Sequence, residues 1–259
     1  EPLLNTPQTI DVISTDVLRA RAVNNLNDAL KSVPGISLGA GEFAWQGNNP
    51  TIRGFVARND MFLDGIRDFG SYARDPFNLE DIQVLQGPSS VLFGRGSTGG
   101  VINQASKTPL MKDLTNATLV GGSDLTRRAT ADINRKLDDL GEGAALRFNA
   151  MIHAQSVAGR NSAKQFRYGL SPSLALGLGK PARLQLSYFH QSADDVPDYG
   201  LPWFGTAPAP VPRQNFYGYA SDYLKTGTDI ATASGEYDLT PAITVRDTMR
   251  FSYYTRRFR

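Results

Sequence analysis

From residue 144 to residue 153 apolar side chains alternate with mostly polar ones. Ala144, Leu146, Phe148, Ala150 and Ile152 share one side, and Arg147, Asn149, Met151 and His153 share the other. A period of two belongs to an extended strand with two unlike faces; a helix would mix the two sets. The pattern recurs. Tyr168, Leu170, Leu174 and Leu176 oppose Arg167, Ser171 and Ser173, and Leu184, Leu186 and Tyr188 oppose Gln185 and Ser187. Ile243, Val245, Met249 and Phe251 oppose Thr244, Arg246, Thr248 and Arg250, with Asp247 on the apolar side unless a bulge shifts the register. The alternation predicts strands at 116–122, 126–137, 144–155, 166–178, 183–191, 229–239 and 242–254. Short connectors (138–143, 179–182, 240–241) alternate with long ones (156–165, 192–228). Apolar-out, polar-in strands with alternately short and long connections are the pattern of a transmembrane β-barrel, short turns on the periplasmic side and long loops outside.

Composition closes off other classes. No run of 18 apolar residues exists, so no transmembrane helix is expected, a statement that leaves a barrel untouched. The 25 glycines and 41 % hydrophobic content suit many turns and half-buried strands better than one thick core. A net charge of +2 gives no footprint for nucleic acid, and the absence of cysteine rules out a disulfide framework or a thiolate metal site. No signal peptide is visible, so an exported form is expected to be mature or trimmed. No nucleophile, base and orienting group assemble into a set, so the chain is not expected to be an enzyme.

Before the barrel-like part lies a different texture. Residues 7–13 alternate as a strand, Ser14 or Thr15 caps a helix beginning at Asp16, and Asn25 caps a second over 26–32 that Pro34-Gly35 ends. Residues 51–64 suggest a hairpin turning at 57–60. Residues 82–104 (IQVLQGPSSVLFGRGSTGGVINQ) then set short β-prone runs at 82–85, 91–93 and 101–103 between glycine turns. Gly94, Gly96 and Gly99 match G-x-G-x-x-G, but Val101-Ile102-Asn103 reads as strand where a dinucleotide site needs a helix. Asp113, the nearest later acid, comes too early for the ribose. A nucleotide-binding enzyme therefore stays a remote alternative.

The segments IRGF (52–55), MFLDGIRD (61–68), RDPFNLEDIQVLQGPSSVLFGRGSTGGVIN (74–103) and SKTP (106–109) resemble the plug domain of TonB-dependent outer-membrane receptors, within them the ferric-siderophore branch. The resemblance implies an N-terminal α+β plug domain (1–112) inside a transmembrane β-barrel of roughly 22 strands. Residues 113–259, with seven strands, are then expected to be its incomplete N-terminal part. It implies TonB-dependent uptake of a ferric siderophore in the outer membrane of a Gram-negative bacterium, the plug gating the lumen. The implied partners are TonB with its inner-membrane ExbB–ExbD complex, the ferric siderophore, and outer-membrane lipid and lipopolysaccharide. No nucleic acid is expected, and the chain is expected to be monomeric. No cofactor or metal site is expected, since iron arrives inside its chelator. A receptor of the same build for cobalamin, a sugar or another metal chelate is the alternative. The segment that binds TonB finds no match in residues 1–6 and is expected upstream.

Two plug loops combine aromatic and cationic side chains suited to a flat, anionic, partly apolar ligand. One carries Phe43, Trp45 and Gln46; the other carries Arg67, Phe69, Tyr72 and Arg74. In the long 192–228 loop, Tyr199 and Trp203 are the further candidates for ligand contact. Asp60, Asp64, Asp68 and Asp75 lack the spacing of a calcium loop and are expected to serve turns. His153 and His190, the two histidines, have no acid at ligand spacing. The resemblance further implies buried cations that lock plug to barrel, a role falling on Arg53 and Arg95. Gln86 stands where the family usually has Arg or Lys, and Gln83 where Glu is usual, which weakens that lock.

Overall fold

The structure is a computed structural model that describes residues 9–39, 47–87 and 98–259. The chain divides into two compact units, Glu1–Lys107 and Thr108–Arg259.

In the first unit a five-stranded sheet is ordered β1 (Thr9–Ser14), β7 (Leu79–Gln86), β8 (Gly100–Ser106), β5 (Met61–Leu63), β6 (Ile66–Arg67). A second, three-stranded sheet joins β2 (Ile36–Leu38), β3 (Pro50–Ile52) and β4 (Phe55–Val56). Strand β8 is central, antiparallel to β7 and parallel to β5, and its Val101 and Ile102 are fully buried. Phe62, Leu85 and Val101 make a core cluster against which Ile10 packs. Helix α1 (Thr15–Ala20) follows β1, and α2 (Leu26–Leu30) is capped by the Asn25 side chain, which accepts the Asp28 N–H at 2.9 Å. Leu26, Ala29, Leu30 and Val33 are buried, as their helical spacing requires.

Two details depart from the sequence reading. The hairpins do not turn at 57–60; they turn at Arg53-Gly54 and Asp64-Gly65, all four with positive φ. Two residues at φ > 0 match the twist of short hairpins, and Asp-Gly is the stronger signal for that turn. Residues 57–60 instead carry the chain from one sheet to the other. The run 91–93, with Gly94 and Gly96, lies outside the described residues. At Gly100 (φ +143°) a Cβ would stand 2.2 Å from the Leu85 carbonyl oxygen, so this glycine lets β8 close onto β7. The chain continues from it into strand, which removes the helix a dinucleotide site needs.

The second unit is a seven-stranded antiparallel sheet in which each strand pairs with the next in sequence. Its members are β9 (Leu114–Gly121), β10 (Arg127–Lys136), β11 (Ala145–Ser156), β12 (Lys164–Leu176), β13 (Ala182–Asp195), β16 (Leu224–Thr240) and β17 (Ile243–Phe258). All seven predicted strands are present. Register pairs Leu146 with Leu174 and Leu174 with Leu186, so the apolar residues line one continuous face. Leu146, Ile152, Tyr168, Leu184, Met249 and Phe251 are exposed on it. The polar set faces the other way: Arg147 with Asp132 at 2.9 Å, Arg167 with Asp195 at 2.7 Å. That second pair explains why β13 runs four residues beyond its predicted end: Asp195 continues the polar face because Arg167 meets its charge. The one register shift between β16 and β17 lies at Asp238/Thr240. Asp247 therefore stays on the apolar face, opposite Gly235.

Candidate functional site

The turn after β6 is organised around Asp68. Its Oδ2 accepts from the Arg74 guanidinium at 2.9 Å and from the Tyr72 hydroxyl at 2.9 Å, while Oδ1 accepts the Gly70 N–H at 3.0 Å. Arg74 also donates to the Gly70 carbonyl at 2.8 Å, and its guanidinium lies over the Tyr72 ring, 4.4 Å from the centroid. Both partners of the ion pair are almost wholly buried, at 3 % and 1 % side-chain exposure. The Arg74 backbone is held as well: its N–H donates to Asn48 Oδ1 at 2.9 Å, and its carbonyl accepts the Leu26 N–H at 2.8 Å. The loop is thus a rigid pedestal tied to the start of α2.

This geometry corrects part of the sequence reading. Tyr72 and Arg74 spend their polar groups inside the loop, because an unpaired carboxylate at Asp68 would be costly there. What the pedestal presents is Phe69, 71 % exposed. Arg67 sits two residues before it in the chain, its guanidinium 5.2 Å from the Phe62 ring centroid and 3.7 Å from Asp60. Burial raises the Asp60 carboxyl above its ordinary value, with Arg67 pulling in the opposite direction. Asp64 sits in the β5–β6 turn at positive φ, its side chain accepting the Ser106 N–H at the end of β8, and Asp75 accepts the Phe77 N–H at the 3-10 turn Pro76–Asn78.

Arg53 tips the β3–β4 hairpin and donates to Gln86 Oε1 at 3.1 Å. Gln86 donates in turn to Asp11 Oδ2 at 2.9 Å and to the Pro34 carbonyl at 3.0 Å. An amide can accept from one neighbour and donate to two others; a second cation here could not accept from Arg53. Gln83 likewise accepts from Asn103 at 3.1 Å across β7 and β8. Phe43, Trp45, Gln46 and Arg95 lie outside the described residues.

In the second unit Tyr199 is half-buried and Trp203 is exposed, next to Phe204 on the small hairpin β14 (Trp203–Phe204) and β15 (Ala207–Pro208). The 157–163 loop is clasped to the 196–223 loop by Arg160. It donates to Asp198 at 2.9 Å and to the carbonyls of Arg213 and Asn215 at 2.6 and 3.2 Å. Asn161 N–H adds a bond to the Gln214 carbonyl. Sequence reasoning missed this clasp, since nothing in the spacing links residue 160 to residue 198. His153 and His190 point to opposite faces of the sheet, the first paired in register with Arg167 and the second bonded to Asp229 at 2.8 Å. They cannot share a metal.

Residues 2–101 match the TonB-dependent Receptor Plug Domain. The catecholate siderophore receptor Fiu of Escherichia coli (strain K12) is 39 % identical over 97 % of this chain and 35 % of its own length. The probable TonB-dependent siderophore receptor PiuA of Acinetobacter baumannii is 38 % identical over the same shares, 97 % and 35 %. Solved structures superpose closely. The closed form of the Escherichia coli ferric-catecholate import receptor Fiu gives a TM-score of 0.92 at 37 % identity, covering 100 % of this chain and 38 % of that one. The Acinetobacter baumannii PiuA structure gives 0.93 at 36 % identity, with the same coverage of 100 % and 38 %. The chain spans about a third of the length of the curated relatives that it matches. It belongs to the TonB-dependent receptor family, with that family's plug domain followed by strands of its β-barrel.

Proposed function

We propose that the protein containing this chain is an outer-membrane receptor that takes up a ferric siderophore in a TonB-dependent manner, and that its cargo is a ferric catecholate. The observation that carries this reading is the near-complete coverage of the chain by two siderophore receptors at 38–39 % identity, one of them named for catecholates. The exposed Phe69, raised on a buried ion-pair pedestal two residues after Arg67, supports it. An aromatic face next to a cation suits a catecholate, which brings flat rings and net negative charge. Trp203 offers a second aromatic surface. Tyr199 is half-buried in the same loop.

In this reading Phe69 and Arg67 touch the ligand, while Tyr72, Arg74 and Asp68 hold Phe69 in place. The iron enters already chelated, so no resident cofactor takes part. Binding must favour a plug state available to TonB, because a ligand shifts an equilibrium only through differential affinity. TonB and its ExbB–ExbD complex supply the energy, and the site runs no enzymatic reaction. Arg53 and Gln86 tie the β3–β4 hairpin to β1, the strand nearest the N-terminal side from which TonB acts. The long loops, which include Arg160, face outside the cell.

The test is growth of an iron-starved strain lacking its own siderophore receptors and carrying the full-length gene, on a panel of purified ferric siderophores. Ferric catecholates are expected to restore growth. Rescue by ferric hydroxamates alone would reassign the cargo, and rescue by none would remove the siderophore reading.

A further inference from the structure

The polar face of the second unit holds a segment that forms neither helix nor strand. Residues 108–113 run between β8 and β9, and side chains of β10 and β11 bond the carbonyls of Thr108, Leu110 and Lys112. Asn134 of β10, 0 % exposed, makes most of these contacts. Its Oδ1 accepts the Leu110 N–H at 2.9 Å, and its Nδ2 donates to the carbonyls of Leu110 and Lys112 at 2.7 and 2.6 Å. A carboxamide sets a donor and an acceptor side by side, so it completes the Leu110 backbone as the peptide of a neighbouring strand would. Arg147 of β11, in register with Asn134, extends the contact. Asp132 holds its guanidinium through two bonds of 2.9 Å, and its Nη1 donates to the Thr108 carbonyl at 2.9 Å. Asp113 Oδ1 accepts the Lys136 N–H at 3.1 Å. One residue before Thr108 the partners are different. The Lys107 N–H donates to the Asn78 carbonyl at 2.8 Å and its Nζ to the Phe77 carbonyl at 3.0 Å, and these residues belong to the first unit. The chain therefore exchanges one set of bonds for the other at the 107–108 peptide.

We infer that Asn134 is a positioning residue for transport: it keeps residues 108–113 on the barrel wall while the plug rearranges, so that the moving part of the plug ends at Lys107. Lifting the segment would strip the Asn134 carboxamide of its partners, and a buried amide without partners is costly. The bonds that hold the segment all lie within the second unit, so loosening of the first does not itself undo them. This role presupposes the TonB-dependent transport proposed above and adds to it where the movement stops.

The test uses the full-length receptor in cells with and without TonB, supplied with a ferric catecholate and carrying one cysteine at a time. Leu110→Cys changes a side chain and leaves the backbone bonds to Asn134 in place. Ile13→Cys reports on β1, where Ile13 is buried. The rate of maleimide labelling is measured at each. At Ile13→Cys the rate is expected to rise when TonB is present, and at Leu110→Cys it should be the same with and without TonB. Adding Asn134→Ala, or Asn134→Asp, which keeps the acceptor and removes both donors, should make labelling at Leu110→Cys TonB-dependent, with a rise of about tenfold. Heat-modifiable migration on gels controls for a folded barrel, and the comparison of the two positions with Asn134 intact stands without either variant. A rise with TonB at Leu110→Cys that matches the rise at Ile13→Cys, with Asn134 intact, would overturn the fixed segment. Labelling at Leu110→Cys that stays indifferent to TonB in folded Asn134 variants would overturn the role of Asn134. A rate at Ile13→Cys indifferent to TonB would strike the transport reading instead.

Discussion

Arg74→Ala removes the cation from the pedestal under Phe69. Asp68 then loses its cationic donor and keeps the Tyr72 hydroxyl and the Gly70 N–H, at 2.9 and 3.0 Å. Its carboxylate is 1 % exposed, so water cannot readily replace the lost guanidinium. Breaking a buried pair from one side costs about 3–5 kcal/mol. The bond from Arg74 to the Gly70 carbonyl at 2.8 Å goes with it. Since about 1.4 kcal/mol is tenfold, local opening of the loop should become roughly two to three and a half decades more frequent. Native-state hydrogen exchange on the full-length receptor reads this at three amides. The Gly70 N–H is bonded to Asp68, and the Arg74 N–H is bonded to Asn48. Both should lose protection, and so should the Leu26 N–H, which is bonded to the Arg74 carbonyl at 2.8 Å. Asp68→Asn/Arg74→Gln, which leaves no buried charge unpaired, should lose less than Arg74→Ala. Protection unchanged within threefold in Arg74→Ala would refute the pedestal.

Other outcomes follow from single contacts. Gly100→Ala should destabilise the plug domain by about 3 kcal/mol or more, because its Cβ would meet the Leu85 carbonyl oxygen at 2.2 Å at a φ of +143°; thermal unfolding of the receptor checks it. Phe69→Ala should weaken ferric siderophore binding about tenfold, a loss on the scale of one aromatic contact. Its unfolding should be unchanged, since the ring is exposed, and equilibrium binding with a melting control separates the two effects. Burial raises the Asp60 carboxyl above 3.8, so the folded state holds that proton more tightly than the unfolded chain does. The carboxyl's contribution to stability is then greatest below 3.8 and declines as pH rises through the folded-state value. Asp60→Asn should flatten stability against pH in that window, and a pH series of melting temperatures would show it.

The barrel strands were legible because alternation is a local property. Tyr168, Leu170, Leu174 and Leu176 declare one face without help from any distant residue, and register only joins such rows together. Asp195 was not legible as strand, since its partner Arg167 lies 28 positions away. The hairpin turns were misplaced because residues 57–60 look like a turn in isolation, whereas Arg53, a poor residue for φ > 0, gave no sign that it occupies one. The site was half legible for the same reason. Composition placed aromatics and arginines in the 66–77 loop, but only geometry decides which of them face outward. Asp68 turned Arg74 and Tyr72 inward and left Phe69 as the presented ring. The Arg160 clasp joins two loops through Asp198, 38 positions away, and two backbone carbonyls, which no local pattern encodes.

The most direct test of the account is accumulation of radioactive iron by cells that carry the full-length receptor as their only siderophore receptor, with and without TonB. Iron supplied as a ferric catecholate should accumulate only when both the receptor and TonB are present, and the receptor should fractionate with the outer membrane. Uptake at the same rate without TonB, or none from any ferric siderophore by a receptor that is correctly folded in that membrane, would contradict it.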